Sequence, residues 1–543
     1  MPLKTLAVAS TTLLLALAEP TQPPPATLPE PPRPADPDLL TVAERSGYRA
    51  TSTSAEAIAQ LDAVIARSPL ARRSRMGMTT QGREIPLIVL ADPPIVSPAE
   101  AANDPRLTVL IFGNIHSGEC DGKEALGILA RELALTPDHT LLDNLIILLA
   151  PNYNADGNDA WGPLDNRRPG QVGPADGCGT RENAQGLDLN RDFVKLAAPE
   201  TRALVRTIRD WNPAVVVDCH TTNGSHHRYL ITHAGIKAPA GHPGLLDFSR
   251  STFFPTIESN HTATTGLPSF LYGNFAREPG INDGPYTRWM TTGAEARYGT
   301  TYTGLRGRLS VLVESYSYAP YRERVLGSLA FCKAILQTAD THRATIRDLT
   351  RAADADRPAR VAVRSVHAPL PGTARALGYR EEVRNGRAVS TGEPLDLDVV
   401  VWDRFDPAGE VAVPAAYLIP QPSLALLTNL KDHGIRLERT TDPASLEVEI
   451  SRITKVTAAR PYQQRIPLTL EAQTSPSRAN IPAGTLVVRT DQPLGRLAVY
   501  LLEPTSEDGL ATWNFFDPWA KEDAFFPALR AMSFSLTTEP WEP

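Results

Sequence analysis

The segment Gly113-Asn114-Ile115-His116-Ser117-Gly118-Glu119 carries the residues of this chain whose types and spacing are best suited to chemistry. It stands where an apolar strand ends and a helix is about to begin, and ligands bind at strand ends in open α/β sheets. A histidine and a glutamate three apart on such a turn can face one point. Zinc accepts an imidazole nitrogen and a carboxylate oxygen in a site that leaves a position for water. A third protein ligand is required, and Val215-Val216-Val217-Asp218-Cys219-His220 supplies another imidazole at another strand end. Alone, an HxxE pair is usually a capped helix start or a surface turn. What points to a metal is its conjunction with two further segments, Gly186-Leu187-Asp188-Leu189-Asn190-Arg191-Asp192-Phe193 and Val311-Leu312-Val313-Glu314-Ser315.

These four pieces, in this order, resemble the zinc carboxypeptidase family, which shows an HxxE motif, an asparagine-arginine pair, a single later histidine and a strand-borne glutamate. The resemblance covers roughly Tyr48 to Ala344. It implies one zinc ion per chain held by His116, Glu119 and His220, with Glu314 as the general base that activates the attacking water. Zinc lowers the pKa of bound water to about 7, and a nearby carboxylate can take the proton and pass it to the leaving amine. Glu314 ends an apolar strand, where partial desolvation raises a carboxyl pKa toward neutrality. By the same resemblance Asn190 and Arg191 grip the terminal carboxylate of the substrate, since an arginine fork accepts a carboxylate in two parallel bonds.

The family also steadies the oxyanion with an arginine, because preorganised positive charge lowers the barrier where negative charge develops. Arg181 is the favoured position and Arg167 the competing one. A tyrosine is implied near the substrate carboxylate, with Tyr302 preferred to Tyr298 in a Gly/Thr-rich, lid-like stretch. Spacing there departs from the digestive enzymes, which leaves the specificity pocket unassigned. Asp218 either faces away on its strand or orients a ligand imidazole. His226, His227 and His233 are expected at the surface or the substrate rim, outside the metal site.

Elements that could position these residues alternate between short apolar runs and stretches of helical spacing, the pattern of crossover helices covering a sheet. The expected class is therefore α/β, with a mixed, largely parallel sheet flanked by helices. Strands are predicted at Glu84 to Ala91, Leu107 to Ile115, Asn144 to Pro151, Ala214 to Cys219, Arg228 to Thr232 and Leu309 to Glu314. Several are apolar throughout, which suits burial on both faces. Helices are predicted at Ala55 to Ala66, Gly122 to Ala134, Pro199 to Trp211 and Tyr321 to Leu349. Beyond about Asp354 the texture becomes Pro-punctuated strands, at Ala359 to Val366, Leu397 to Trp402, Gln464 to Ala472 and Leu497 to Leu502, with one helix at Ser423 to His433. The predicted organisation is a signal peptide over 1–18, a Pro-rich spacer over 19–37, a catalytic domain over 38–354 and a β-rich accessory module over 357–543.

The N-terminus, with Lys4, the apolar run Leu6 to Leu17 and the small-residue end Ala16-Leu17-Ala18, reads as a secretory signal cleaved after Ala18. The run is shorter than the roughly 20 apolar residues a membrane span needs, so a secreted or periplasmic protein without a stable span is expected. Cys120, Cys178, Cys219 and Cys332 are too few and too irregularly spaced for a disulfide scaffold or a CxxC metal site, and read as small packing residues. Net charge is -7 with signs interspersed, which disfavours a nucleic-acid partner. The expected partners are peptide or protein C-termini. A zinc amidohydrolase or deacylase acting on N-acyl amino acids or cell-wall peptides, and a non-catalytic binding protein, are the alternatives.

Overall fold

The computed structural model describes residues 28–136, 140–162, 173–281, 284–385 and 387–541. The predicted signal segment and Arg167 lie outside them. Ten strands precede the helix Arg343–Ala355: β1 (Ala71–Met78), β2 (Glu84–Leu90), β3 (Leu107–Gly113), β4 (Leu145–Ala150), β5 (Val215–Thr222), β6 (Ile231–Ala234), β7 (Phe270–Leu271), β8 (Asn274–Ala276), β9 (Arg288–Met290) and β10 (Leu309–Tyr316). All but β8 and β9 form one sheet in the order β1-β2-β4-β3-β5-β10-β6-β7. The central strands β4, β3, β5 and β10 are mutually parallel, while β1–β2, β2–β4 and β10–β6 are antiparallel. This is the mixed, largely parallel α/β arrangement that the alternation of elements predicts.

The apolar runs are buried on both faces because alternate residues enter different cores. On β3, Leu110 and Phe112 join the core that contains Leu204 and Ile208 of the helix Pro199–Trp211. Val109 and Ile111 enter the opposite core with the helices Asp121–Leu135 and Tyr321–Thr341. The first of these helices approaches β5 closely. A Cβ at Gly122 would lie 2.3 Å from the Cβ of Cys219, so only glycine permits this distance, and the helix start comes directly beside the end of β5.

Later strands β11 (Arg360–Pro369), β12 (Ala374–Arg384) and β13 (Arg387–Ala412) follow the helix Arg343–Ala355. β13 pairs in parallel with β9, so this second sheet draws strands from both halves of the chain. A further seven-stranded sheet contains the long antiparallel pair Ala444–Ala458 and Leu468–Ile481. The core beside Leu204 and Ile208 runs on without a break into Tyr417, Leu430, Leu497 and Trp513.

Four predicted elements need correction, and one is the strand predicted over Gln464 to Ala472, which is displaced to Leu468–Ile481 because Gln463 and Gln464 form a turn. Leu497 to Leu502 is not a strand but part of the helix Gly495–Leu502, buried all round, and a short apolar run carries no period that separates the two states. The helix predicted over Tyr321 to Leu349 is two helices, Tyr321–Thr341 and Arg343–Ala355, parted at His342. The strand predicted over Arg228 to Thr232 is displaced to Ile231–Ala234.

Adding one methyl group at Gly122 tests the close approach. Gly122→Ala is expected to destabilise the fold by about 1–3 kcal/mol through overpacking against Cys219, read as a lower Tm in thermal unfolding. An unchanged Tm would show that the helix can back away from β5.

Candidate active site

Adjacent parallel strands bring distant residues together at one sheet edge. Glu314 of β10 is registered directly against His220 of β5, and Gly113 at the end of β3 is registered against Cys219. From Gly113 the chain turns through Asn114, whose φ of 65° is left-handed. The Asn114 side chain offsets that strain by donating from Nδ2 to Asn152 Oδ1 (2.7 Å) and Asn158 Oδ1 (3.1 Å). The turn then presents His116 and Glu119, with Glu119 N donating to His116 O (2.8 Å).

The next residue but one, Asp121, joins the segments. Its Oδ2 accepts from Thr221 Oγ1 (2.6 Å), Ser315 Oγ (2.6 Å) and Arg324 Nη1 (3.0 Å), and Thr221 and Ser315 immediately follow His220 and Glu314.

Donor atoms of His116, Glu119 and His220 all lie within 4.8 Å of one another. Both imidazoles turn Nδ1 toward the same carboxylate: His220 Nδ1 lies 2.8 Å from Glu119 Oε2, and His116 Nδ1 3.1 Å from Glu119 Oε1. All three side chains are buried. Two imidazole nitrogens and a carboxylate converging on one point are the donor set of a zinc site, so the residues present fit such an ion. The outer nitrogens are anchored, His116 Nε2 to Asp188 Oδ1 (2.9 Å) and His220 Nε2 to Asp218 Oδ2 (2.9 Å). Carboxylates in that position fix tautomer and ring orientation for a metal-binding imidazole. Asp218 therefore does not face away.

Charge here is balanced locally. Burial alone would raise the Glu119 carboxyl, but His116 and His220 hold it well below the usual range. Burial would lower His220, and Asp218 and Glu119 outweigh it, leaving the imidazole well above its ordinary value. Glu314 behaves oppositely: burial pushes it up to about 8, with the nearby Glu119 and Asp218 carboxylates adding to the effect. A carboxyl poised near neutrality is suited to accepting and returning a proton.

A cavity of about 240 Å³ opens over this cluster, and its walls include His116, Glu119, Arg181, Asn190, Arg191, His220 and Glu314. Arg181 reaches Glu119 Oε1 through Nη1 (3.0 Å) and Asp188 Oδ2 through Nε (3.1 Å) and Nη2 (2.9 Å). Asn190 Oδ1 accepts from Gly299 N (3.0 Å), tying the cavity wall to the helix Gly299–Leu305. The guanidinium carbon of Arg191 lies 4.6 Å from the centre of the Tyr298 ring.

Tyr302 is not with them. It is fully buried, packs on Phe193, and shares a 2.8 Å hydrogen bond with His433 Nδ1. The correction follows from position along the helix axis: Tyr298, the extended N-cap residue, lines the cavity, whereas Tyr302, one turn farther into the helix, lies in the core.

His227 and His233 are likewise buried rather than on the surface. Burial holds His227 down to about 3, and the His233 ring stacks on Phe254 and Phe331. His226 bonds Glu381 of β12 at 2.7 Å. Cys120, Cys178, Cys219 and Cys332 are all buried.

Residues 58–233 match the family model described as zinc carboxypeptidase. Those residues form a zinc carboxypeptidase domain. A metallocarboxypeptidase hydrolase is the enzyme class that goes with it. The chain is similar to carboxypeptidase 2 of Trichophyton tonsurans, 23% identical over 459 residues, covering 80% of this chain and 78% of that one. It is also similar to carboxypeptidase D of Mus musculus, 31% identical over 179 residues, 27% of this chain and 13% of that one. Among solved structures, the metallo-carboxypeptidase of Pseudomonas aeruginosa is 19% identical over 53% of this chain and 69% of its own, with a TM-score of 0.36. Carboxypeptidase A of Helicoverpa armigera is 12% identical over 53% and 74%, with a TM-score of 0.39. The matched stretch of the carboxypeptidase domain contains His116, Glu119, Asn190, Arg191 and His220 and stops before Glu314, whose position beside them follows from strand register.

Sequence reasoning missed three residues of the carboxypeptidase site. Asp188 carried a signal, an acid two residues before the Asn-Arg pair. Tyr272 and Lys237 line the cavity from connections with no motif.

Two substitutions separate the roles of ligand and orienter. His116→Ala is expected to lose bound metal altogether, measured as zinc per chain. Asp188→Asn should keep the ion but weaken its affinity about 10- to 100-fold in chelator competition.

Proposed function

We propose that this chain is an exported, zinc-dependent carboxypeptidase that hydrolyses the C-terminal peptide bond of peptides or proteins. The observation carrying the reading is the convergence of His116, Glu119 and His220 within 4.8 Å, with Glu314 registered beside His220. One zinc ion would be held by those three residues, and when bound it supplies Lewis acidity toward the scissile carbonyl and acidifies water.

The remaining steps belong to the chain's own side chains. Glu314 takes a proton from the attacking water and delivers it to the leaving amine nitrogen. Arg181, oriented by Asp188, offers positive charge to the oxygen on which negative charge develops. Arg191 and Asn190 receive the substrate's terminal carboxylate, with Tyr298 as the tyrosine on that wall. A requirement for a free carboxylate then makes the enzyme an exopeptidase.

Export is supported by the charged, apolar and small-residue pattern of residues 1–18. Among the described residues no helix is long and apolar enough to cross a membrane. N-terminal sequencing of the mature protein is expected to begin at Glu19.

Glu314→Gln should retain zinc while kcat falls by at least about 10²- to 10⁴-fold, measured on a free-carboxylate peptide. Retention of most turnover would remove Glu314 from the reaction. Parallel assays on C-terminally amidated peptides and N-acyl amino acids define the substrate. Cleavage confined to the free-carboxylate peptide is expected, and efficient turnover of N-acyl amino acids would replace the peptidase reading with a deacylase.

A further inference from the structure

The antiparallel strands Ala444–Ala458 and Leu468–Ile481 form a long ribbon that continues past its last ladder pair, with Ala459 N donating to Pro467 O (2.8 Å). Its tip closes in a two-residue turn. Tyr462 N donates to Arg465 O (2.8 Å) and Arg465 N to Tyr462 O (3.1 Å), with Gln463 and Gln464 at φ 51° and 59°. Two consecutive positive φ values belong to the type I′ turn, which normally uses Asn and Gly. Long side chains are disfavoured there, and backbone strain of this kind persists where surrounding contacts impose it.

Those contacts are with the carboxypeptidase domain. Tyr462 Oη accepts from Arg191 Nε (3.0 Å), Gln463 Oε1 accepts from Asp188 N (2.9 Å), and Gln464 Nε2 donates to Gln185 O (2.5 Å). Arg191 is thereby held by Tyr462 at Nε, by Asn190 O (2.7 Å) and the Asp188 carboxylate (4.0 Å) at Nη1, and by the Tyr298 ring beneath. Among the described residues Nη2 donates to no protein group, and Arg191 lines the cavity.

We propose that the ribbon tip Tyr462-Gln463-Gln464 is part of the active site, with Tyr462 a positioning residue that aims Arg191 at the substrate carboxylate. This rests on the reading of Arg191 given above. An arginine side chain left loose must be ordered each time substrate binds, and anchoring Nε in advance removes that cost. Because the aimed contact is made equally before and during reaction, its loss raises KM and leaves kcat nearly unchanged.

Tyr462→Phe in the full chain removes the acceptor and keeps the ring, which is 39% exposed and so makes few core contacts. For a free-carboxylate peptide KM is expected to rise about 3- to 10-fold, the loss of one hydrogen bond, with kcat within about twofold and Tm unchanged. The inhibition constant of the amidated peptide as a competitor should not move, and in an Arg191→Ala background the substitution should add nothing. An unchanged KM in Tyr462→Phe, while Arg191→Ala alone abolishes discrimination between free and amidated ends, overturns the positioning role. So does a rise of equal size in that KM and in the inhibition constant of the amidated peptide. If Arg191→Ala leaves the discrimination intact, the carboxylate role of Arg191 itself fails and the role of Tyr462 falls with it.

Discussion

A single buried oxygen, Oδ2 of Asp121, constrains where Glu119, His220 and Glu314 can lie. It receives the hydroxyls of Thr221 and Ser315 and the guanidinium of Arg324, so the start of one helix, the ends of two strands and a second helix meet at one atom. The residues preceding those hydroxyls are His220 and Glu314, and Glu119 lies two positions before Asp121. Distances among Glu119, His220 and Glu314 therefore follow from hydrogen bonds just outside them. Removing one partner from a buried ion pair such as Asp121–Arg324 costs about 3–5 kcal/mol, enough to make this junction as important to the fold as to the chemistry.

Outside that junction the site is organised by alternating charge. Each imidazole has Glu119 on its inner side and an aspartate on its outer side, Asp188 for His116 and Asp218 for His220. Arg181 spans Glu119 and Asp188, so one outer carboxylate is itself restrained. Glu314 is buried too, and there burial outweighs the nearby His220 and Arg181 and lifts it to about 8 while Glu119 is held low. Two glutamates a short distance apart thus acquire opposite protonation preferences from their surroundings, the condition for one to bind a cation and the other to carry a proton.

Much of this could be read from residue order because the central strands are mostly apolar and lead to the candidate site residues. Leu107–Gly113, Val215–Thr222 and Leu309–Tyr316 announce both the sheet and the points where His116, His220 and Glu314 emerge. The edge strand Ala71–Met78 was illegible, since its arginines face outward along a half-exposed edge and carry no apolar run. Tyr298 and Tyr302 differ by one helical turn, and only the direction of the helix axis decides which enters the cavity. Asp188 could be suspected from its neighbours, whereas Tyr462 could not, because its place depends on how a distant ribbon packs. Local pattern reports strands and their ends; it does not report contacts between segments far apart in the chain.

The continuous core that joins Leu204 and Ile208 to Tyr417, Leu497 and Trp513 bears on how the chain is made. Synthesis proceeds from the N-terminus at about 5–20 residues per second, so the first sheet is complete roughly ten seconds or more before its covering residues leave the ribosome. During that interval one broad apolar face has nothing of its own chain to rest on. A nascent chain in that state is a client for holding factors until the two halves close on each other.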